Sequence, residues 1–235
     1  MFVHLNTHSV YSPMRGLLSL SDIVNLSHSC GMDNLALTDV NGMWGFIRFV
    51  QHCKDAGLSP IAGTNLITEK DEAILLAESQ YGYENMCRSV SAVHDDPNQL
   101  IENILEKRYP GLFVLSHHEP TLEKLINFIP GTHLFIELRP GIQESFTNRL
   151  AKKMKLEVIA TGDVYFRDSD DHKVYLTLRS IKNNTTLEQL DMKECKSKQH
   201  WFRSEADMVK LFPNSLNALN NSRYLADRCK TDWSF

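Results

Sequence analysis

Short apolar runs alternate with amphipathic stretches along most of this chain, and the alternation limits the folds that it can adopt. The runs have the length of β-strands, and most are followed by apolar residues at helical spacing. The strand-like runs are residues 2–5, 35–38, 60–67, 73–77, 112–116, 134–138 and 158–161. Repeated strand-then-helix units predict an α/β protein with a mainly parallel sheet, either open or closed into a barrel.

Capping residues predict where several helices begin. Ser19 and Ser204 each precede a helical pattern and have an aspartate three residues later, an arrangement that favours reciprocal capping. Asp96 and Thr121 offer a capping oxygen at two further positions. A helical pattern over residues 46–56 presents Phe46 and Phe49 on one face, and we predict that both pack in the core together with Trp44.

Composition excludes several classes of protein. The net charge of −4 argues against a surface that tracks nucleic-acid phosphates, because such binding relies on lysine and arginine. The five cysteines are widely spaced, so neither a disulfide framework nor a structural zinc site is indicated. No apolar run approaches the ~20 residues of a membrane span. We therefore expect a cytoplasmic protein that makes no membrane contact.

Polar side chains follow the strand-like runs, where the chemistry of parallel α/β folds gathers. These side chains are Asn6, His8, Asp39, Asn41, Asn65, His117, His118, Glu137 and Asp163. Imidazoles and carboxylates on one rim could hold zinc, manganese or iron for phosphoester chemistry. The same residues also fit hydrogen-bonded loop starts and helix caps, so spacing alone leaves both interpretations open.

Seven sequence blocks, in order, resemble one known family. Residues 2–12, FVHLNTHSVYS, resemble the opening of the PHP (polymerase and histidinol phosphatase) domain of bacterial DNA polymerase III alpha subunits. The later blocks are LALTDVNGMWGFIRFVQHCKDAGLSPIAGTNL, ILLAESQYGYENMCRSVSAVH, GLFVLSHH, HLFIELRPG, VIATGDVYF and WFRSEADMVKLFP. The resemblance implies a distorted (β/α)7 TIM-like barrel over residues 1–190. Residues 191–235 would form an exposed basic connection and a short helical extension toward the polymerase palm.

The resemblance also implies a metal rim, which this sequence keeps only in part. Remnant ligand candidates are His8, His94, His118 and Asp163. The other ligand positions of the family hold Asn6, Arg15, Val40, Asn65 and Tyr165. Losing five ligands while gaining the positive charge of Arg15 is expected to abolish a multinuclear site. We therefore expect no metal, cofactor or catalytic residue in this segment.

The first functional hypothesis is a catalytically degenerate PHP domain that acts as a structural or interaction scaffold for DNA replication or repair synthesis. The parent protein would be a DNA-directed DNA polymerase, a nucleotidyltransferase, from which these 235 residues are excised. A stand-alone protein is the lesser alternative. Partners would be the palm and thumb of the parent chain and a proofreading or other replisome subunit. Direct binding to DNA is expected to be weak or absent.

Two further hypotheses stay open. The first is a metal-dependent phosphoesterase or 3′ to 5′ exonuclease with a reduced zinc or manganese site. Its residues would be His8, His94, His118, Asp163 and Glu137. The second is a binding module whose rim holds an anion, since Arg15 stands among histidines. If only ligands were lost, replacing all five eroded positions with the family's residues should rebuild much of the metal site.

Overall fold

A computed structural model describes residues 2–229 and 231–233 of the chain. The strands are β1 (Asn34–Leu37), β2 (Ser59–Ile67), β3 (Glu72–Ala77), β4 (Leu112–Ser116), β5 (Leu134–Leu138) and β6 (Val158–Ala160). The helices are α1 (Leu20–Ser29), α2 (Phe46–Asp55), α3 (Gln80–Asp95), α4 (Ile101–Leu105), α5 (Glu119–Leu125), α6 (Glu144–Met154), α7 (His172–Lys182), α8 (Glu205–Leu211) and α9 (Leu216–Arg228). Short 3-10 turns cover Ser169–Asp171 and Met192–Glu194.

The strands form one sheet in the order β1-β2-β3-β4-β5-β6. Neighbouring strands are parallel except around β3, which runs antiparallel to both β2 and β4. No helix separates β2 from β3, because a tight turn joins them in which the Thr68 amide donates to the Asp71 carbonyl at 3.0 Å. The reversal places the start of β3 beside the ends of the parallel strands.

Residues 3–9 close the curled sheet into a ring. On one side, the amides of Ala36 and Thr38 donate to the carbonyls of His4 and Thr7. On the other side, the Val164 amide donates to Asn6 at 3.0 Å, and the His8 amide donates to Val164 at 2.9 Å. Residues 3–9 thus take the place of a seventh strand between β1 and the residues after β6. The predicted distorted (β/α)7 barrel is therefore confirmed.

Side chains alternate between two cores across the barrel wall. Ile74, Leu76 and Phe113 belong to an inner cluster, whereas Leu75 and Val114 pack outward under the helices. Leu225, Ala226 and Cys229 of α9 join the inner cluster. Arg228 stacks on Phe113 at 4.5 Å and donates to Glu78 at 2.7 Å. Helix α9 therefore covers the end of the barrel at which the parallel strands begin.

The predicted helix starts have mixed outcomes. Ser19 forms a full capping box with Asp22, and Ser204 accepts a hydrogen bond from the Asp207 amide. The other two predictions are wrong. Asp96 follows the end of α3, where its carboxylate accepts from the Asn98 amide. Thr121 lies inside α5, which begins at Glu119, and its hydroxyl donates to Asp71 instead of capping.

Two further expectations concern burial. Phe46 and Phe49 are buried as predicted, but Trp44 is 58% exposed, because it precedes α2 and lies outside the helical stripe. The connection after residue 190 is exposed over residues 191–194 and 197–199, whereas Lys196 points inward and His200 and Arg203 are buried. The boundary between 190 and 191 stays a prediction, although α9 contributes to the barrel's inner core.

Two observations bear on the cellular setting. None of the helices among residues 2–229 and 231–233 is long and apolar enough to cross a membrane. All five cysteines are free thiols, and Cys53 and Cys229 are buried in the cores.

Gly82 is predicted to be indispensable for seating α3 against the start of β4. A Cβ atom at Gly82 would lie 1.8 Å from the Gly111 carbonyl oxygen, so backbone would have to move. We expect Gly82→Ala to lower the free energy of unfolding by roughly 1–3 kcal/mol or more, measured by urea denaturation. Gly131→Ala is the control, since its Cβ would meet only the Leu156 side chain at 3.7 Å. Equal stability of the two variants would contradict this packing.

Candidate functional site

Three carboxylates gather at the rim formed by the ends of the parallel strands. Glu137 lies near the end of β5, and Asp163 follows β6. Glu72 starts β3, which reaches the same rim because that strand runs in the opposite direction. Glu137 and Asp163 are buried, and Glu72 is largely buried. Burying these carboxylates without nearby positive charge would cost a large amount of folding free energy.

Arg139 supplies the first compensating charge, directly after β5. Its guanidinium forms an ion pair with Glu72 and lies 3.7 Å from Glu137 and 3.6 Å from Asp163. It also lies 3.0 Å from Nε2 of His117. One planar cation therefore touches all three carboxylates, and these anions raise the pKa of Arg139 against the opposing effect of its burial.

Lys196 supplies the second charge, from the connection that leads to α8. Its Nζ donates to Asp163 at 2.7 Å, and its side chain is only 16% exposed. The ammonium also lies 5.0 Å from the centre of the Tyr165 ring. The Lys196 amide donates to the Tyr175 hydroxyl at 3.0 Å, which fixes the connection over α7. His200 adds a contact of 3.1 Å to Asp163.

These cations keep the carboxylates ionised. Burial alone would raise the pKa of Asp163, but Lys196 and Arg139 outweigh it and hold that pKa well below its usual range. The same balance of burial against Lys196 and Arg139 lowers the pKa of Glu72 to about 2. For Glu137, burial is outweighed by the hydrogen bond from His117 and by the charge of Arg139. The rim is thus an ion cluster in which two internal cations compensate most of the charge of three carboxylates.

His8 is the remnant ligand candidate that lies fully inside this rim. Its ring stacks on Tyr165 at 4.0 Å, and its Nδ1 lies 3.1 Å from the Val164 carbonyl. Nε2 of His8 lies 3.5 Å from the side-chain amide nitrogen of Asn65. Burial lowers the pKa of His8 to about 4, so the imidazole is neutral near pH 7.

Of the residues at the eroded positions, Asn6 contacts the carboxylates of the cluster directly. Asn6 donates to Glu137 at 3.0 Å and to Asp163 at 3.2 Å. Val40 pairs with Asn65 in a backbone bridge and offers no polar side chain. The Tyr165 hydroxyl is buried without a hydrogen-bond partner, and burial raises its pKa well above the usual range. Arg15, partly exposed, adds a fixed positive charge that acts on His8.

Two remnant candidates lie outside the ion cluster. Nε2 of His94 lies 2.7 Å from the Asn41 carbonyl on an exposed part of α3. Nδ1 of His118 lies 2.8 Å from the Thr121 hydroxyl at the start of α5. Its neighbour His117 faces the cluster instead, with contacts of 3.5 Å to both Glu72 and Glu137. The structure therefore brings together His8 and Asp163 with Glu137, but not His94 or His118.

Several positions at which the sequence resemblance expects metal ligands hold other side chains in this rim. Asn6, Arg15, Val40, Asn65 and Tyr165 give no anionic ligand in place of the imidazoles and carboxylates expected there. Within residues 2–229 and 231–233, no three histidine, cysteine, aspartate or glutamate side chains are arranged to hold an ion. Lys196 and Arg139 already contact the carboxylates, and a divalent cation would face both.

Sequence reasoning missed Lys196, Arg139 and Glu72. Arg139 directly follows β5, which ends at Leu138. Glu137 is the first polar residue at that strand end and Arg139 is the second, so considering two polar residues at each strand end would have found Arg139. Glu72 begins its strand, which a search of strand ends passes over. Lys196 lies in a run that looks like a solvated lysine-rich segment, and its partner is 33 residues away. No local pattern signals that pair.

A family model described as the PHP domain matches residues 4–155. That match covers more than half of the chain, and the chain belongs to the PHP family. The barrel and the position of its rim agree with the sequence resemblance.

The curated relatives are DNA polymerase III alpha subunits. The subunit of Pasteurella multocida is 28% identical over 97% of this chain, and that of Escherichia coli K12 is 27% identical over the same share. The chain spans only 22% and 23% of the length of these two relatives. Among solved structures, a two-domain protein from Bacteroides vulgatus containing a predicted PHP-like metal-dependent phosphoesterase is 13% identical, with a TM-score of 0.45. That similarity covers 70% of this chain and 52% of the other.

Removing the Lys196 ammonium is predicted to destabilise the fold strongly. Lys196→Met leaves Asp163 buried beside a weaker set of cations, and breaking a buried ion pair costs roughly 3–5 kcal/mol. Urea denaturation at pH 7 measures the loss. Lys198→Met, two residues along on an exposed site, should change stability by less than about 0.5 kcal/mol. Adding Asp163→Asn to the Lys196→Met variant should restore part of the loss. Equal stability of the two methionine variants would contradict the ion pair.

Buried neutral histidines predict sensitivity to mild acid. Burial lowers the pKa of both His4 and His8 to about 4, whereas histidine in an unfolded chain has a pKa near ~6.5. The unfolded state therefore takes up protons first. The stability that the neutral rings contribute is present above about pH 6.5 and is lost as the pH falls toward 4.

Denaturation at a series of pH values tests this expectation. His8→Gln should remove roughly half of the decline between pH 6.5 and about 5, where His4 accounts for the remainder and the carboxylates of the ion cluster do not yet contribute. His52→Gln, on the exposed face of α2, should leave the decline unchanged. A free energy of unfolding that stays constant over this range in the parent chain would refute the assignment.

Proposed function

We propose that this chain is a PHP domain of a DNA polymerase III alpha-like protein in which internal cations have replaced the family's metal ions. In this role the domain acts as a structural or interaction scaffold and performs no phosphoester chemistry. The observation that carries the proposal is the ion cluster in which Arg139 contacts Glu72, Glu137 and Asp163 and Lys196 pairs with Asp163, so that two internal cations compensate most of the carboxylate charge.

The replacement has a simple electrostatic basis. Metal ions in a carboxylate site supply positive charge that lets the anions be buried together. In this rim a guanidinium and an ammonium supply that charge from within the chain. In this proposal the barrel would be stable without an ion and would lack the Lewis acid and the activated water that phosphoester hydrolysis in a metal site uses. A scaffold needs only a stable barrel.

The polymerase context is supported by the alpha subunits that align with 97% of the chain. We propose that the parent protein is a DNA-directed DNA polymerase working in replication or repair synthesis in the cytoplasm. Its palm and thumb would be the domain's main partners, and a proofreading or other replisome subunit would be a further one. Direct DNA contact would be weak, since the lysine-rich connection turns Lys196 and Arg203 inward.

Metal analysis of the 235-residue chain, purified without chelator, tests the proposal. We expect less than stoichiometric zinc, manganese and iron, and no hydrolysis of a phosphoester or a single-stranded DNA end with added zinc or manganese. His8→Ala should therefore change no activity. Bound metal at one ion per chain, with turnover that His8→Ala abolishes, would establish the alternative enzyme instead.

Rebuilding the metal rim is predicted to require removal of the internal ammonium. The substitutions Asn6→His, Arg15→Asp, Val40→His, Asn65→Glu and Tyr165→His restore the family's ligand types but leave Lys196 on Asp163. We expect this fivefold variant to show little zinc-dependent rise in melting temperature. Adding Lys196→Met should tighten zinc binding by about tenfold or more, because a competing charge is removed. Equal zinc affinity of the fivefold and sixfold variants would contradict the replacement.

A further inference from the structure

Three basic side chains without an acidic partner lie beside the rim. They are Arg15, Arg179 and Lys182, from the loop before α1 and from the second half of α7. Within the part of the chain that the structure describes, none of the three forms an ion pair, in contrast to Arg139 and Lys196. These charges are not used by the ion cluster that neutralises the carboxylates.

Arg179 is the unusual member of this group. It is only 4% exposed and lies one turn after Tyr175 on the buried face of α7. Its Nε and Nη1 atoms are buried and have no hydrogen-bond partner among residues 2–229 and 231–233. The guanidinium lies near the thiol of Cys195, a weak and uncharged acceptor. Burying a guanidinium is costly unless hydrogen-bond acceptors replace its lost hydration, and the described side chains and backbone offer none to these two nitrogens.

Arg15 and Arg179 both act on Lys182, and both also act on the Tyr175 hydroxyl on the buried face of α7. Burial, followed by repulsion from Arg15 and then from Arg179, lowers the pKa of Lys182. The loop of Arg15 is tied to the barrel, since the Leu17 amide donates to the Tyr165 carbonyl at 2.9 Å. Glu194 offsets part of the repulsion on Lys182 but makes no ion pair with it. Three like charges are thus held near one another by the fold.

We propose that Arg15, Arg179 and Lys182 form a binding site for a phosphate group, between the loop before α1 and the end of α7. A bound anion would give the Arg179 guanidinium its missing acceptor and would relieve the repulsion among the three cations. Part of the segment after α7 must move aside, because Nε and Nη1 of Arg179 are covered.

Phosphate suits this group better than a single carboxylate does. A doubly charged tetrahedral oxyanion can accept hydrogen bonds from several cations on different sides, and guanidinium groups are particularly suited to it. The phosphate could be free, carried on a small molecule, or part of a nucleic-acid backbone. The site is independent of the proposed scaffold role, since it uses none of the residues of the ion cluster.

Thermal unfolding of the 235-residue chain in potassium phosphate tests the site, with potassium chloride at equal ionic strength as reference. A ligand that binds the folded state raises the melting temperature by mass action. We expect a saturable rise that is specific to phosphate, and phosphorus NMR titration gives the affinity. Arg179→Met should weaken phosphate binding by about tenfold to a hundredfold, since charged hydrogen bonds are lost.

Control variants separate binding from folding. Lys173→Met removes an exposed lysine at the opposite end of α7 and should keep the phosphate response. Should Arg179→Met fail to fold by circular dichroism, Arg15→Met serves instead, because that side chain is partly exposed on a loop and should also lose the response.

A second arm replaces phosphate with a short single-stranded oligonucleotide without terminal phosphates, followed by fluorescence anisotropy. Binding that Arg15→Met and Arg179→Met both weaken would support the site and identify backbone phosphate as its source. A response to phosphate alone would support the site and identify a small phosphate-bearing molecule. The proposal is overturned if the parent chain responds to neither ligand, or if a folded Arg179→Met variant keeps the full phosphate response.

Discussion

The ion pair between Lys196 and Asp163 is the contact on which the arrangement of this rim depends. Asp163 has no exposure, so its charge must be met from within the protein, and Lys196 meets it at 2.7 Å. Arg139 supplies further positive charge, because its guanidinium contacts all three carboxylates. Because the pair joins the end of β6 to the connection before α8, neutralising the rim also fixes the path of the chain.

That path gives the C-terminal part of the chain a role at both ends of the barrel. The connection lays Lys196 and His200 on the rim, and α9 then covers the opposite end with Leu225 and Cys229. The C-terminal segment thus contributes both to the ion cluster at the rim and to the inner apolar core of the barrel. In the family's metal-binding rim, ions would bring the neutralising charge from solution. Here two cations of the chain itself, Arg139 and Lys196, supply positive charge at the rim.

Local pattern was sufficient for most of the fold but not for the chemistry of the rim. Strands such as β4 and β5 follow from apolar runs, and the start of α1 follows from Ser19 and Asp22. The sequence resemblance correctly indicated the barrel and the PHP family. The placement of Lys196 could not be predicted, since burial of a lysine depends on a distant carboxylate rather than on neighbouring residues. The sequence resemblance indicated His118 as the ligand candidate, but His117 is the neighbour that contacts Glu72 and Glu137, and spacing alone does not show which of two adjacent residues faces the rim.

The most direct test of the central claim is carbon-13 NMR of the Asp163 carboxyl group and the Lys196 side chain during acid and zinc titrations. The account predicts that Asp163 stays ionised well below its usual pKa and that neither group's signal shifts when stoichiometric zinc is added at neutral pH. An ordinary titration of Asp163, or zinc-induced shifts at both Asp163 and His8 with release of Lys196, would contradict it.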